Sequence, residues 1–396
     1  MKIFIVGGGS TGSIIAHILA SHQSVENVTI GDAAPERARK FIVQNPKIAL
    51  RLIDAKNTHE LAKALAGFDL VINSSMAANN ESVMRSALEA KINYQDLDSD
   101  YKSGKVDQTR FHEQFKEKNL IALFNASASP GVTNLMAGEL AENMKRIEYV
   151  RIRVLEDVSS DIPFTAWSKA IAFEEIYDEP YVWEFGKYVK RDNFADEETY
   201  NFPEPYLNTR CYLIDQDEIG TIPQYIKTRR ADLKIGGSEI ELARTLFKLG
   251  LLRKRQVRIG NALITPYDFM VKIWSDVPSL KEMRSIAASG KLRDAHFWAA
   301  VEIRGTVDEK KMTRRAVIQF PAQSEINKLH PGANYVSYAA GVSAAVFALH
   351  VSEIKERGTF PPEALLEEAR AKIIAALKKQ GVKITMEEKA DAPAKK

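Results

Sequence analysis

Three glycines near the N-terminus constrain the fold of this chain more than any other feature. The apolar run Ile3–Val6 leads directly into Gly7-Gly8-Gly9-Ser10-Thr11-Gly12, and an apolar helical pattern follows at once. In a G-x-G-x-x-G turn, the first glycine makes the tight turn and the second lets a pyrophosphate approach the backbone. The third lets the helix pack closely on the strand, and the N–H groups of the helix N-terminus, here at Ser10 and Thr11, face the phosphates. The segment therefore predicts a dinucleotide-binding site.

A second short strand, Val28–Gly31, ends at Asp32. An acid at this place in a dinucleotide fold accepts hydrogen bonds from the adenosine ribose hydroxyls. Asp32 favours NAD, because its charge repels a 2′-phosphate. Arg37, Arg39 and Lys40 follow closely, and they either bind such a phosphate or form the solvated face of a helix. The cofactor expected from the sequence is therefore NAD or NADP.

Strand and helix patterns alternate up to about residue 128, which is typical of an α/β, doubly wound parallel sheet of the Rossmann type. The carboxyl ends of such strands share one edge, where ligands bind. The predicted strands are Ile3–Val6, Val28–Gly31, Ile48–Leu52, Asp69–Asn73, Asn93–Gln95 and Leu120–Phe124. The helices predicted after the first one are 57–66, Glu81–Ala90 and 107–118.

The pattern changes after residue 131 to that of an inserted α+β domain with a mostly antiparallel sheet. Its predicted strands are Tyr149–Leu155, Tyr181–Phe185, Val257–Ile259, Trp298–Gly305 and Arg314–Gln319. Its predicted helices are Val132–Asn143, Leu242–Leu249 and Tyr267–Trp274. A long helix rich in small residues, Tyr335–Lys355, and a final helix from Glu363 complete the pattern.

Composition excludes several classes of protein. The 396 residues suit two domains, and a net charge of +3 without a basic stripe indicates no nucleic-acid or membrane preference. A single cysteine, Cys211, excludes an intrachain disulfide framework and fits a reducing compartment. With no signal peptide or apolar run of membrane-spanning length, we expect a soluble, cytoplasmic protein. The seven histidines are scattered, so no metal site is expected.

Four stretches in the same order along nearly the whole chain resemble the saccharopine dehydrogenase family, which includes lysine 6-dehydrogenases and carboxynorspermidine dehydrogenases. They are the N-terminal glycine turn with Asp32, residues 69–97 with Tyr94-Gln95-Asp96, residues 129–137 with Pro130-Gly131 and Asn134, and residues 341–363. The glutamate-forming saccharopine dehydrogenases carry an acid just before this Pro-Gly, where the chain has Ser129.

The resemblance implies a domain organisation. Residues 1–130 would form the dinucleotide-binding domain, completed by C-terminal helices within 335–380. Residues 131–334 would form the substrate and dimerisation domain, whose antiparallel sheet with a free edge makes a homodimer the expected assembly. Residues 386–396 would be a charged flexible tail.

Two candidate groups end predicted strands of the first domain. Asn73, Ser74 and Ser75 follow the fourth strand, where they would hold the nicotinamide ribose or cap a loop. Asp96 is the candidate catalytic base or ammonium-binding group, and its alternative role is to cap a helix near residues 98–101.

Two further groups are candidates for substrate binding. Pro130 and Gly131 open a predicted helix, whose free N–H groups would face an anion, and Asn134 would bind a substrate amino or carboxylate group. An ordinary proline-initiated helix explains the same pattern. Trp167-Ser168 resembles a tryptophan-serine pair of the family's substrate domain, although a tryptophan is more often part of the core.

The resemblance implies an NAD(P)-dependent oxidoreductase that transfers a hydride at a carbon–nitrogen bond of a small molecule, a lysine-related amino acid. A carboxynorspermidine or other polyamine-precursor dehydrogenase is the alternative within the family. Because fold does not determine function, a catalytically silent dinucleotide-binding redox sensor is the alternative outside it.

Overall fold

The computed structural model describes residues 1–99, 101–102, 105–163 and 165–390. In chain order, the described strands are β1 (Lys2–Val6), β2 (Asn27–Asp32), β3 (Ile48–Leu52), β4 (Leu70–Asn73), β5 (Asn93–Asp96), β6 (Tyr101–Lys102), β7 (Lys105–Val106), β8 (Ile121–Leu123), β9 (Lys145–Ser160), β10 (Tyr181–Glu184), β11 (Lys187–Lys190), β12 (Glu198–Tyr200), β13 (Thr209–Leu213), β14 (Arg230–Gly236), β15 (Val257–Ile259), β16 (Ala262–Ile264), β17 (Leu292–Val307), β18 (Lys310–Gln319), β19 (Gly358–Phe360) and β20 (Lys383–Ala390).

The described helices are α1 (Ser10–Ser21), α2 (Pro35–Ala38), α3 (Thr58–Leu65), α4 (Asn80–Ala90), α5 (His112–Glu117), α6 (Val132–Ala141), α7 (Lys169–Tyr177), α8 (Glu218–Tyr225), α9 (Ser238–Lys248), α10 (Pro266–Ile273), α11 (Leu280–Ala288), α12 (Gln323–Leu329), α13 (Tyr335–His350) and α14 (Glu367–Lys379). Short 3₁₀ turns cover 77–79, 107–111, 351–353 and 362–364.

The first sheet has seven parallel strands in the order β19-β8-β5-β4-β1-β2-β3. Successive side chains of a strand point to opposite faces. Ile3 and Ile5 of β1 therefore pack on the face covered by α1 and α13, while Phe4 packs on the face covered by α3 and α4. The α/β Rossmann architecture expected from the sequence is confirmed, and its carboxyl edge carries the glycine turn.

The second sheet has the order β11-β10-β14-β9-β17-β18-β20, with β12 and β13 joined to it through β14. β14 runs parallel to β9, whereas the other pairs are antiparallel. The two sheets share one hydrophobic core, because α13 packs on α1 of the first sheet and also contacts β17 of the second.

Three C-terminal elements differ from the sequence prediction. β19, which was not predicted, adds a seventh strand beside β8. The final helix begins at Glu367 instead of Glu363, because Pro361 and Pro362 lead into a 3₁₀ turn. Residues 386–390 are not a flexible tail: they pair with β18 as part of β20, where their backbone groups gain partners. Residues 391–396 lie outside the described residues.

Helix α13 ends at His350, and a 3₁₀ turn replaces the last predicted residues. Together with that turn it is long and apolar enough to cross a membrane by length and composition alone. Most of it is buried inside the protein, where its small residues allow close contact with α1. A Cβ atom added to Gly341 would lie only 2.6 Å from Cγ2 of Ile14.

We expect Gly341→Val to lower the free energy of unfolding by about 1–3 kcal/mol, because the added side chain must push α1 away from α13. Ala340→Val is the matched control, since Ala340 is a half-buried residue of the same helix. Denaturant titration measures both variants. Equal midpoints for Gly341→Val and the wild type would show that the helices do not meet at this glycine.

Candidate functional site

The glycine turn has the geometry of a phosphate-binding loop. Gly7 has φ +101°, and a Cβ atom there would lie 2.7 Å from the carbonyl oxygen of Ser74. A Cβ atom on Gly12 would lie 2.1 Å from the carbonyl oxygen of Gly7, so only glycine allows α1 to start this close. Nothing lies within 4 Å of the corresponding position on Gly9, which leaves room above the loop for a pyrophosphate.

The first turn of α1 adds anion-binding capacity to this loop. Gly9 is the N-cap and offers no side chain, so the first N–H groups of the helix, at Ser10 and Thr11, are directed towards the loop. The Ser10 hydroxyl is hydrogen-bonded to Ser337 of α13. The residues present therefore fit a dinucleotide phosphate.

Asp32 ends β2 beside this loop, as the sequence predicts. Its Oδ2 accepts a hydrogen bond from Gly8 N at 2.7 Å, and its Oδ1 accepts one from Ala34 N at 2.7 Å. These bonds fix the carboxylate beside the glycine turn. Arg37, Arg39 and Lys40 are exposed just beyond Asp32. The acid that favours NAD and the cations that could bind a 2′-phosphate therefore follow the same strand.

The residues after β4 divide into two kinds. Asn73 is fully buried, its Nδ2 donates to Asn80 at 2.6 Å, and its Oδ1 accepts from both N and Oγ of Ser75. Its side chain holds the loop and does not reach a ribose, which corrects the prediction. Ser74 and Ser75 are half-buried next to the glycine turn, and the Ser74 Oγ has no partner among the described residues. The loop-capping alternative therefore describes Asn73 and Ser75, whose Oγ also accepts from Asn79 at 3.0 Å, and Ser74 is the residue with a hydroxyl available for a ligand.

Asp96 is placed differently from the prediction. It is fully buried, and its oxygens accept hydrogen bonds from Asn125 N at 2.8 Å, Tyr94 OH at 2.9 Å and Gln108 Nε2 at 3.0 Å. Burial raises the pKa of Asp96 to about 8. Because no surface of this carboxyl group is open to a substrate, Asp96 joins β5 to the segment after β8 and is not a catalytic base.

The segment Pro130–Asn134 is likewise structural. The Ser129–Pro130 peptide is cis, and Gly131 has φ +132°. Asn134 is fully buried, its Oδ1 accepts from Gly131 N at 2.9 Å, and its Nδ2 donates to Thr221 at 3.2 Å. The predicted direct contact of Asn134 with a substrate is therefore wrong, because both ends of its amide are occupied by the protein. Pro130 and Gly131 are also buried, so they hold the backbone of this segment and do not contact a ligand directly.

The Trp167-Ser168 pair lies near the glycine turn. The carbonyl oxygen of Ala166 accepts hydrogen bonds from Asn334 at 2.8 Å and from Ser337 at 3.1 Å, and Ser337 contacts Ser10 of the turn. Trp167 is half-buried against the core, whereas Ser168 is exposed at the start of α7 and makes no side-chain cap. The structure thus brings these residues and the dinucleotide loop to the same region.

The sequence analysis missed a group of acids that faces this region, which we call the acidic wall. It comprises Asp98, Glu156, Asp157, Glu175, Asp217 and Glu239. Asp98 lies just beyond the end of β5, and Asp217 Oδ2 accepts from Ser99 N at 3.1 Å. The other acids come from the second domain. Pairs of adjacent acids, such as Glu156-Asp157 and Asp217-Glu218, were the only sequence signal for this wall.

The charged groups that raise the pKa values of the acidic wall are other carboxylates. Burial raises the pKa of Glu175 and of Asp217 well above the usual range, and the charges that raise both further belong to other carboxylates. Burial and neighbouring carboxylates likewise raise the pKa of Glu156 and of Glu239 to about 7. Carboxylates gathered in this way favour a positively charged ligand.

A second carboxylate network lies behind Ser129. Glu218 of α8 is fully buried, and its Oε1 accepts hydrogen bonds from the Ser129 hydroxyl and from Thr133 Oγ1, the latter at 2.8 Å. Glu363 is buried nearby, and burial raises its pKa to about 7. Among the described residues, no group of three or more histidine, cysteine, aspartate or glutamate side chains could hold a metal ion.

We expect the stability of the ligand-free protein to fall as the pH rises from about 5 to about 8. Asp96, Glu156, Glu239 and Glu363 have folded-state pKa values of about 7 to 8, whereas unfolded carboxyl groups titrate near pH 4. The folded chain therefore binds more protons across this window, and deprotonation favours unfolding. Denaturant midpoints measured at several pH values test this. Glu239→Gln should flatten the slope, and stability that rises with pH would contradict the assignment.

We also expect Asp96→Asn to lower the free energy of unfolding by about 1–3 kcal/mol, because an amide cannot accept all three hydrogen bonds that the carboxyl group accepts. Asp107→Asn is the control, since Asp107 is exposed in the neighbouring 3₁₀ turn. Thermal and denaturant unfolding measure the difference. A loss of turnover with unchanged stability would restore a direct role for Asp96.

Comparison with known proteins agrees with this geometry. Residues 3–123 match the saccharopine dehydrogenase NADP-binding domain family. The chain is 25% identical over 380 residues to carboxyaminopropylagmatine dehydrogenase of Synechocystis, with 91% of this chain and 92% of that protein covered. It is 22% identical over 395 residues to carboxynorspermidine synthase of Vibrio cholerae, with 92% of each chain covered.

Two solved structures share the fold along the whole chain. Apo saccharopine dehydrogenase (L-Glu forming) from Saccharomyces cerevisiae has a TM-score of 0.70 at 15% identity, covering 99% of this chain and 100% of that one. Homospermidine synthase from Legionella pneumophila, solved in complex with NAD, has a TM-score of 0.64 at 13% identity and covers 98% and 91%. The glycine turn, the family match of residues 3–123 and the shared fold agree: this is an NAD(P)-dependent oxidoreductase whose dinucleotide-binding domain is similar to that of the saccharopine dehydrogenase family.

Proposed function

We propose that this protein transfers a hydride at a carbon–nitrogen bond of a carboxylated polyamine. In one direction it reduces an imine to the amine, and in the other it oxidises the amine. The observation that carries the proposal is the acidic wall, in which the charges of neighbouring carboxylates act on Glu175 and Asp217. Two relatives that align along nearly the whole chain are named for carboxyaminopropylagmatine and carboxynorspermidine. Both compounds carry several cationic nitrogens and one carboxylate.

The net charge of the substrate distinguishes this proposal from the lysine-related amino acid expected from the sequence. Saccharopine has more carboxylates than ammonium groups, so the acidic wall would repel it, whereas a carboxylated polyamine has a net positive charge. Each ammonium or guanidinium group placed against a half-buried carboxylate gains a charge-assisted hydrogen bond. Glu175 and Asp217 are well placed for such bonds, because neighbouring carboxylates act on both.

The nicotinamide supplies or accepts the hydride, and the chain's residues provide binding and orientation. The N-terminus of α1 and Asp32 hold the dinucleotide, while the acidic wall orients the amine chain so that its reacting carbon meets the nicotinamide. Trp167 is half-buried against the hydrophobic core, on the segment that Ser337 joins to the glycine turn. Asp96 and Asn134 contribute only by keeping the strand ends in place.

A spectrophotometric assay with NADH and NADPH, each in both directions, tests the proposal. The substrates are carboxyaminopropylagmatine, carboxynorspermidine, saccharopine and lysine. We expect kcat/KM for a carboxylated polyamine to exceed that for saccharopine by about 100-fold, as expected for two lost charge-assisted hydrogen bonds. Equal or faster turnover of saccharopine would overturn the proposal, and dinucleotide binding without any turnover would favour a redox sensor.

We expect Glu175→Gln to raise the KM for the polyamine about tenfold or more, because one charged hydrogen bond becomes neutral. Dinucleotide affinity should not change. Glu174→Gln is the matched control, since Glu174 is the exposed neighbour that pairs with Lys254. If both variants had the same KM as the wild type, the acidic wall would not be the amine site.

We also propose a cytoplasmic homodimer. The single cysteine, Cys211, is buried, which suits a reducing compartment, and the second sheet ends in the edge strands β11 and β20. Light scattering on the purified protein tests the assembly: a dimeric mass supports it, and a monomeric mass at micromolar concentration contradicts it.

A further inference from the structure

We infer that Ser129 and Glu218 form a proton relay to the reacting nitrogen, in which the Ser129 hydroxyl contacts the nitrogen and Glu218 holds the proton. The inference rests on the proposed function, because it requires a carbon–nitrogen bond as the site of hydride transfer. It names a group for the proton step, which Asp96 at the end of β5 cannot perform because its carboxyl group is fully buried and held by Tyr94, Gln108 and Asn125.

Two hydroxyl groups, those of Ser129 and Thr133, donate to Glu218, and they differ in exposure. Ser129 follows the carboxyl end of β8, at the sheet edge that carries the glycine turn, and its side chain is half-buried. Thr133 is fully buried in α6 and donates to the same Glu218 oxygen at 2.8 Å. Of the two residues, only Ser129 is partly exposed, and its hydroxyl contacts Glu218 directly.

The surroundings of Glu218 suit a group that stores a proton. Its Oε2 is buried without a partner among the described residues, while Oε1 accepts both hydroxyl hydrogen bonds. Among the side chains that the structure describes, two carboxylates act on Glu218: Asp217, which precedes it, and Glu363, from the 3₁₀ turn after β19. Burial raises the pKa of Glu218, and the two hydroxyl groups partly oppose this rise. A neutral carboxyl group costs less free energy here than a charged one.

With this relay, the atoms and electrons of the reductive step balance. The imine carbon accepts hydride from the reduced nicotinamide, and the π pair of the C=N bond moves onto nitrogen. In the resting arrangement the Ser129 hydroxyl donates to Glu218 Oε1, so in the step it must turn towards the nitrogen. The nitrogen then takes the Ser129 proton, and the Ser129 oxygen takes the proton that neutral Glu218 carries on Oε1. The products are the amine, the oxidised nicotinamide and the Glu218 carboxylate, which regains a proton from solvent. In the oxidative direction each transfer runs in reverse.

The decisive experiment compares Ser129→Ala and Glu218→Gln with the wild type in the reductive assay across pH. Because Glu218 must be protonated, wild-type kcat should fall as the pH rises past the pKa of Glu218. Both variants should lower kcat about 100-fold and lose this pH dependence, with dinucleotide binding unchanged by fluorescence titration. Ser127→Ala is the matched control, the same exchange two residues earlier in the loop, and it should keep the wild-type profile. A wild-type kcat and pH profile in Ser129→Ala would overturn the relay, whether or not Glu218→Gln folds.

A second measurement does not depend on turnover. Infrared difference spectra of the wild type and Glu218→Gln should contain a protonated-carboxyl band that persists above about pH 5, where an exposed glutamate is ionised. Loss of that band by about pH 5 would overturn the relay. A wild type that turns over no carboxylated polyamine would instead overturn the proposed function, so the two failures are distinguishable.

Discussion

The contact between α1 and α13 determines the position of everything at the candidate site. Gly341 lets α13 approach Ile14 so closely that a side chain there would clash, and Ser337 on the same helix bonds both Ser10 and the carbonyl oxygen of Ala166. One helix from the C-terminal part of the chain therefore connects the phosphate loop of the first domain to the segment that carries Trp167. Gln95 of β5 donates to the carbonyl oxygen of Ala344 at 2.9 Å, which ties the sheet edge to the same helix. The dinucleotide loop and the segment that carries Trp167 are thus held at a fixed separation before any ligand binds.

Asp96 and the acidic wall differ in how their burial is compensated. Asp96 is surrounded by hydrogen-bond donors and stabilises the strand ends, so its burial is compensated locally. In the acidic wall, half-buried carboxylates instead raise one another's pKa values. A cationic ligand would remove this repulsion, which means that part of its binding free energy arises from relief of strain in the ligand-free protein. Such a trade of stability for binding is common at functional sites.

Several sequence predictions depended on local order and are confirmed, because strand, turn and helix follow one another within about thirty residues. The glycine turn, the parallel sheet and the buried α13 belong to this class. The predicted roles of Asn73, Asp96 and Asn134 failed for one shared reason. A strand end or helix start shows where a side chain begins, but not whether a distant residue already satisfies it, as Gln108 satisfies Asp96 and Thr221 satisfies Asn134. β19 was missed because three residues between a turn and two prolines carry no periodic pattern.

The sequence by itself determined the dinucleotide loop, because G-x-G-x-x-G acts through backbone geometry that its own residues dictate. It also determined the two-part organisation, through the change from alternating strands and helices to an α+β pattern at about residue 131. Only the tertiary structure decided where the acidic wall lies, because it assembles residues from segments separated by tens of residues. The same holds for Ser129 and Glu218, which are 89 positions apart and meet only when α8 packs on α6. Electrostatics depends on distance in space, and spacing along the chain does not report that distance.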